Sequence, residues 1–387
     1  MSLLRSAAPV LLLAALVSGC STPVGDYVDR WFGSGPALKP AELVALKPTA
    51  NVKVVWQASA GAAERFVFTP LVGESAVAVA AAAGQITRVD GANGKILSRV
   101  DLKTPLSGGV GGDRRLLVVG TPKGEVHAFD SAGKPLWKSQ VNSDVLSAPV
   151  VEQDIVVVRS GDGRLLGLDA ATGARKWVYA RTLPALTVRT HVSVQSYRGA
   201  VFAGFPGGRL VAVAAANGNL IWEATVALPK GATELERVAD VASLPVTDGR
   251  QVCAAAYQGR VACFGAVKGE LIWARDFSSV SGMSMDPANV YVADDKSAII
   301  AFDRSNGASL WKQDKLYGRN VTAPVPIGRF LAVGDLQGYV HFLSRDDGSF
   351  VARIATDGSP IVARPVALDN NVLVQTLRGG VYAIAVQ

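Results

Sequence analysis

One sixteen-residue stretch recurs along the chain and limits what the chain can fold into. In its clearest copy it runs Asp162-Gly163-Arg164-Leu165-Leu166-Gly167-Leu168-Asp169-Ala170-Ala171-Thr172-Gly173-Ala174-Arg175-Lys176-Trp177. It reads as turn, strand, turn, strand. Asp162-Gly163 is a hairpin signal, because Gly takes the positive φ of a tight turn at no steric cost. The first Gly recurs at Gly84, Gly124, Gly163, Gly208, Gly259, Gly338 and Gly379, with Ser297 in its place once, at intervals of 38 to 51 residues. A second Gly follows nine or ten residues later, from Gly94 to Gly348. Four residues on stands a Trp at 137, 177, 222, 273 and 311, replaced by Ser98 and Ala352 in the first and seventh copies. An Asp ends the first strand of the motif at Asp90, Asp130, Asp169 and Asp303. Recurrence in register marks these as turn caps rather than calcium or catalytic ligands.

Seven full copies and a truncated eighth, with strand patterning and no helical period, predict an all-β fold. The expected form is an eight-bladed β-propeller of four-stranded antiparallel blades. In the third blade the strands are expected at 147–152, 155–160, 164–169 and 176–181. The eighth copy stops at Gln387 without an outer strand. Val52-Lys53-Val54-Val55-Trp56-Gln57 has the form of that missing strand, so the N-terminal strand is expected to complete blade eight and close the ring. Closure removes the open edge that an incomplete sheet would expose. Length alone would suggest two or three domains in 387 residues, but the repeat overrides it, and 40 Gly suit a turn-rich ring.

Residues 1–19 read as a targeting segment. Arg5 precedes an apolar run over 7–17 that is too short to span a bilayer. It ends in Val17-Ser18-Gly19-Cys20, small residues before a Cys, which resembles the bacterial lipoprotein signal with cleavage before a lipidated Cys20. Ser21, where an Asp would resemble an inner-membrane retention signal, points to the outer membrane. Residues 20–50 are rich in Pro, Gly and Ser and read as a flexible tether, with one helical turn expected over 41–46. The propeller then occupies 51–387, of which 51–58 completes blade eight.

Two connections are longer than the rest. From the motif Trp to the next repeat Gly the count is 24 to 27 residues in three copies, but 31 after Trp177 and 37 after Trp222. The additions fall at 181–189 and 228–242, flanking blade four on one face. Leu183, Leu186, Val188, Arg189, Glu234, Glu236, Arg237 and Asp240 would form one patch. Apolar residues rimmed by charges of both signs suit a protein-binding surface.

The lipoprotein signal, tether and eight Gly-x-x-x-Trp blades together resemble the BamB family, lipoproteins of the outer-membrane β-barrel assembly (BAM) machinery. Propeller repeats are shared with quinoprotein dehydrogenases, so the loops carry more of the resemblance. Leu183-Pro184-Ala185-Leu186-Thr187-Val188-Arg189 and Thr233-Glu234-Leu235-Glu236-Arg237-Val238-Ala239-Asp240-Val241 are similar to the family's two loops that contact the periplasmic POTRA domains of BamA. The resemblance implies contact roles for Leu186, Val188, Arg189 and Asp240, with Arg237 beside them. The place of a second family Asp is taken by Ala242. It also implies a non-catalytic scaffold without a cofactor, anchored in the outer membrane and facing the periplasm. Nascent outer-membrane proteins are a further candidate partner.

Competing chemistry is sparse. His127 and His341 hold equivalent places in their blades, three residues after the repeat Gly, and read as strand residues. No His/Cys/Asp cluster has metal-ligand spacing. Gly108-Gly109-Val110-Gly111-Gly112 lacks the Gly-Lys-Ser/Thr of a phosphate loop. Formal charge is +7, but Lys and Arg are scattered without a basic-aromatic run, which argues against nucleic acid. Cys253 and Cys263 flank the Tyr257-Gln258-Gly259 turn. A two-residue turn would pair Cys253 with Phe264, whereas a loop centred on Gln258 would set the two thiols opposite, so a disulfide and two free thiols both stay open. A quinone-cofactor dehydrogenase and a periplasmic peptide-binding module are the other function classes. Against the first, its polar cofactor and calcium ligands have no counterpart in this sequence.

Overall fold

The computed structural model describes residues 39–188 and 191–387. Among them are 32 strands, numbered β1–β32 along the chain, and no helix. Five sheets each contain four consecutive antiparallel strands, over 71–101, 195–225, 246–276, 282–313 and 325–355. A sixth combines the first and last strands of the fold: β1 (Val52–Ser59) pairs with β32 (Gly380–Val386), followed by β31 (Asn371–Gln375) and β30 (Val366–Leu368). The register runs from Val52 opposite Val386 to Ser59 opposite Gly380, with one bulge between Val54 and Trp56.

The remaining sheet has eight strands where two separate sheets of four were expected. Its halves, 108–140 and 150–179, meet through a parallel bridge between Gly112 of β6 (Gly108–Gly112) and Val150 of β10 (Val150–Glu152). The glycine run, set aside above as no phosphate loop, explains the joint. A Cβ on Gly111 would lie 1.8 Å from the Pro149 carbonyl oxygen, so only bare backbone lets the two inner strands approach this closely.

The middle strands are apolar on both faces because each face packs on a neighbouring sheet. Along β11 (Ile155–Arg159) and β12 (Leu165–Asp169), Val156, Val158, Leu166 and Leu168 join Val118 and Val126 of the preceding strands. Ile155, Val157 and Leu165 join Val201, Ala203 and Val211 of the following sheet. Alternate residues thus serve alternate interfaces, as the period-2 geometry of a strand requires.

The repeat residues work between sheets as well as within them. Asp169 Oδ1 accepts the N–H groups of Ala171 (3.1 Å) and Thr172 (2.9 Å), and Asp90, Asp130 and Asp303 cap their turns in the same way. Trp137 Nε1 donates to the Ala170 carbonyl at 2.8 Å, in the turn of the following repeat. Its ring covers Gly173, where φ is +72° and a Cβ would fall 2.5 Å from the indole. Trp56, Trp177, Trp222, Trp273 and Trp311 repeat both contacts, on Gly94, Gly218, Gly269, Gly307 and Gly348. Where Ser98 replaces the Trp, Arg88 Nη1 reaches a carbonyl of the following turn, that of Ala132, at 3.3 Å. Ser297, the one exception at the first repeat Gly, still adopts φ +74°.

Residues 40–387 form one compact unit, so the end of the expected tether belongs to the body. No helical turn forms over 41–46; that stretch has no regular structure and is tied down by distant side chains. Cys20 and the rest of 1–38 lie outside the described residues.

Cys253 of β19 (Gln251–Ala255) stands directly opposite Cys263 of β20 (Arg260–Gly265), with Cα atoms 4.0 Å apart and a disulfide between them. The loop is centred on Gln258, whose φ is +48°, and is closed by a bond from the Ala256 N–H to the Arg260 carbonyl. Both sulfurs are fully buried between sheets.

Candidate functional site

The two long connections are shaped by local chemistry before they meet. Within 228–242, Thr233 and Glu236 form a capping box. Glu236 Oε2 accepts the N–H groups of Ala232 (2.8 Å) and Thr233 (3.1 Å), and Thr233 Oγ1 accepts the Glu236 N–H (3.3 Å). A reciprocal Thr-x-x-Glu arrangement stabilises a single tight turn. These bonds hold the Glu236 carboxyl below its ordinary pKa. Leu235 is lifted to the apex at 72% exposure. Arg237 folds back on its own loop, donating from Nε to the Gly231 carbonyl at 3.1 Å and lying 3.6 Å from Glu234 Oε1.

The other connection is pinned at its start. Arg181 pairs with Glu223 at 2.5 Å, and Leu183 packs over the turn at Gly163. The chain then rises so that Leu186 is 44% exposed. Val188 is half-buried, and Arg189 lies outside the described residues.

Asp240 joins the two. It was expected at the surface, yet it is 3% exposed. Its Oδ2 accepts the Val188 N–H at 2.6 Å, and its Oδ1 accepts the Gly207 N–H at 3.0 Å. Its own carbonyl accepts the Tyr257 N–H at 2.8 Å. One carboxylate therefore ties the 181–189 connection, the β15–β16 turn (β15 Ala200–Phe205, β16 Arg209–Ala214) and the 228–242 connection into a single surface. Carboxylate-to-amide bonds of this kind are among the stronger ones available. Ala242, two residues on, is also buried and offers no polar group to the surface.

Sequence reasoning gave no sign of the cation beneath. Arg159 lies over the face of Phe205, its Cζ 5.4 Å from the ring centroid, and Arg181 lies at 5.9 Å. Burial pushes the Arg159 guanidinium down to about 10, against the pull of Asp240, so it remains a cation at neutral pH. Its Nη1 is enclosed without a hydrogen-bond partner. A cleft of about 340 Å³ opens beside it, lined by Asp144, Arg159, Asp162, Leu183, Thr187 and Val188 among others. The exposed ends of the surface are apolar: Leu186, Leu228 and Leu235.

The remaining titratable candidates sit elsewhere. His127 contacts Glu125 at 3.2 Å on a strand, and His341 is buried against Asp335. No group of His, Cys, Asp and Glu among the described residues has the arrangement of a metal site.

Comparison with known proteins decides the family. A family model described as "Outer membrane protein assembly factor BamB" matches residues 82–313. Curated relatives of the same description are 44% identical in Nitrosomonas eutropha, over 98% of this chain and 94% of that protein. In Bordetella pertussis the identity is 42%, over 97% of this chain and 96% of that protein. The chain belongs to the BamB family. Among solved structures, BamB from Moraxella catarrhalis superposes with a TM-score of 0.80 at 26% identity, covering 87% of this chain and all of the other. A quinohemoprotein alcohol dehydrogenase from Comamonas testosteroni also superposes, with a TM-score of 0.70 over 86% of this chain and 76% of its own. At 14% identity that likeness is one of fold alone. The 181–189 and 228–242 connections are thus features of a BamB-family chain.

Proposed function

We propose that this protein is an assembly factor for outer-membrane proteins, acting as a non-catalytic scaffold in the BAM complex and binding the POTRA domains of BamA. The observation that carries the reading is the joined surface of the two long connections in a chain of the BamB family. On this reading Leu186 gives apolar contact with Val188 beside it, and Arg189 and Arg237 give polar orientation. Asp240 acts from beneath, by holding the two connections in register. The body is an eight-bladed ring over 51–387, with β1 as the outer strand of the eighth blade. The chain is made with a signal peptide over 1–19, is lipidated at Cys20 and faces the periplasm from the outer membrane. A quinone-dependent dehydrogenase is not favoured, because only the fold is shared.

The test is direct affinity between the purified protein and the POTRA domains of BamA from the same organism, measured by calorimetry. A saturable one-to-one complex is expected, weakened by Leu186→Ala. Absence of binding at the highest soluble concentration would place the partner elsewhere.

Anchoring makes a separate prediction. Cys20→Ala is expected to move the protein from the membrane pellet to the soluble periplasmic fraction, since acyl chains contribute roughly 0.8 kcal/mol per buried methylene and none would remain. No helix among the described residues is long and apolar enough to substitute. Membrane retention of this variant in cells lacking BamA would reject lipidation as the anchor.

A further inference from the structure

Residues 40–50 follow a fixed path along the sheet over 325–355. The Ala41 N–H donates to the Tyr317 carbonyl at 2.9 Å, and the Ala41 carbonyl accepts Arg319 Nη1 at 2.9 Å. Three residues later Arg353 Nη2 reaches the Val44 carbonyl at 3.3 Å. The Thr49 N–H then donates to the Val351 carbonyl at 2.9 Å, and Ala50 is buried with Ile327, Phe330 and Ala352. From there the chain enters β1.

The receiving site is built for this. Arg319 is 2% exposed, and all its acceptors are internal. Its Nε and Nη2 meet Asp335 Oδ2 at 2.8 and 2.7 Å, and Nη2 also meets Gln337 Oε1 at 2.7 Å. The same Asp335 oxygen holds His341 Nε2 at 2.9 Å, with both side chains wholly buried. The Ala41 carbonyl occupies Nη1, the remaining end of this guanidinium. A buried cation left short of acceptors is costly, so the segment and its receptor stabilise each other. Arg353 and Arg319 also lie over the Tyr339 ring, at 5.7 and 5.9 Å from its centroid.

Tyr317 and Arg319 lie on the connection between β25 (Ser309–Gln313) and β26 (Val325–Ile327), from the last strand of one sheet to the first of the next. The 181–189 and 228–242 connections are of the same kind. In a succession of four-stranded antiparallel sheets every such connection emerges on one face.

We infer that residues 40–50 are a docked strap, seated in a receptor formed by Tyr317, Arg319, Val351 and Arg353. At Ala41 the strap lies against the connection between β25 and β26, the same kind of connection as the two long ones. The consequence for membrane orientation rests on the lipid-anchor reading; the docking itself does not. It gives the tether a fixed point of departure in place of a swivel at residue 50.

Hydrogen exchange on the full mature chain tests the docking. Amides of 41–50 are expected to exchange at least about tenfold more slowly than an unstructured chain. Two variants should release them without unfolding the body: Ala41→Pro, which removes the donor to Tyr317, and Arg353→Ala. Each should raise exchange in 41–50 by about tenfold or more while peptides over 150–169 stay unchanged. Full exchange of 41–50 at the unstructured rate in the wild type overturns the strap. The point of departure is tested by spin labels at Glu42→Cys and Lys315→Cys in a full-length Cys20→Ala chain. A single narrow distance distribution, broadened by Ala41→Pro, is expected, and a broad one in the parent overturns the fixed exit. Neither readout requires lipid, so a failure of the anchor reading would show separately, as protein that does not float with vesicles.

Discussion

Deleting Val52–Ser59 is expected to lower the melting temperature by about 10 °C or more and to leave an aggregation-prone product. The strand contributes a full ladder to β32 and, through Trp56, the wedge between two sheets. Trp56 is 6% exposed and packs on Val77, Val79 and Val89 of the first sheet and on Leu373, Val381 and Ala383 of the last. Its indole N–H also holds the Gly91 carbonyl at 2.8 Å. Truncating one buried Trp alone typically costs about 3–5 kcal/mol. Removing its strand adds the exposed edge of β32, an open template for another chain. Whole domains are commonly stable by only about 5–15 kcal/mol, so the loss is a large fraction of the total. Calorimetry with size-exclusion chromatography reads both effects. A deletion variant that stays monomeric and melts within about 2 °C of the parent would mean that β1 is dispensable, which no strand with these contacts should be.

The second large effect belongs to Asp240→Ala, which is expected to weaken POTRA binding by about 10- to 100-fold, or about 1.4–2.8 kcal/mol. The variant removes the acceptor for two N–H groups, at Val188 and Gly207, that lie on different segments. Leaving such groups unmet costs about 1–3 kcal/mol, which the loop avoids by moving away. Leu186 and Val188 would then no longer be presented together. Because Asp240 is enclosed, its loss should leave the salt dependence of binding unchanged, unlike loss of a rim charge. Asp240→Ala and Leu186→Ala should also combine sub-additively, since both act through the same loop. Full additivity together with a reduced salt slope would instead make Asp240 a direct charge contact in the complex.

Much of this molecule was legible from spacing. The Gly, Asp and Trp positions marked strands and turns in the third set, where β10, β11 and β12 fall inside the expected spans and β13 (Arg175–Tyr179) begins one residue before its own. The Asp residues cap as their recurrence implied, and Val52–Ser59 pairs with Gly380–Val386. The misses are all tertiary. Nothing in the repeat says that each Trp acts on the Gly of the following repeat. The glycine run over 108–112 was set aside as no phosphate loop and given no role, and only the fold shows that it lets two inner strands touch. The 41–46 segment has helix-compatible residues, yet Arg319 and Arg353, remote in sequence, hold its carbonyls and it forms no helix. Asp240 was read by analogy as a surface contact, and only the fold shows that backbone amides enclose it. Arg159 gave no signal because an isolated Arg at a strand end usually faces solvent.

The pairing of β1 with β32 also sets a clock. A strand that begins at Val52 cannot find its partner until Val386 has been made, so the last sheet stays incomplete through nearly all of synthesis. Contacts this distant in sequence carry a large loop-closure cost and slow the final step of folding. Until that step, β1 and β32 each present an unpaired edge. The chain is thus at its most adhesive just before it is finished, and this interval is where a chaperone in its compartment would matter most.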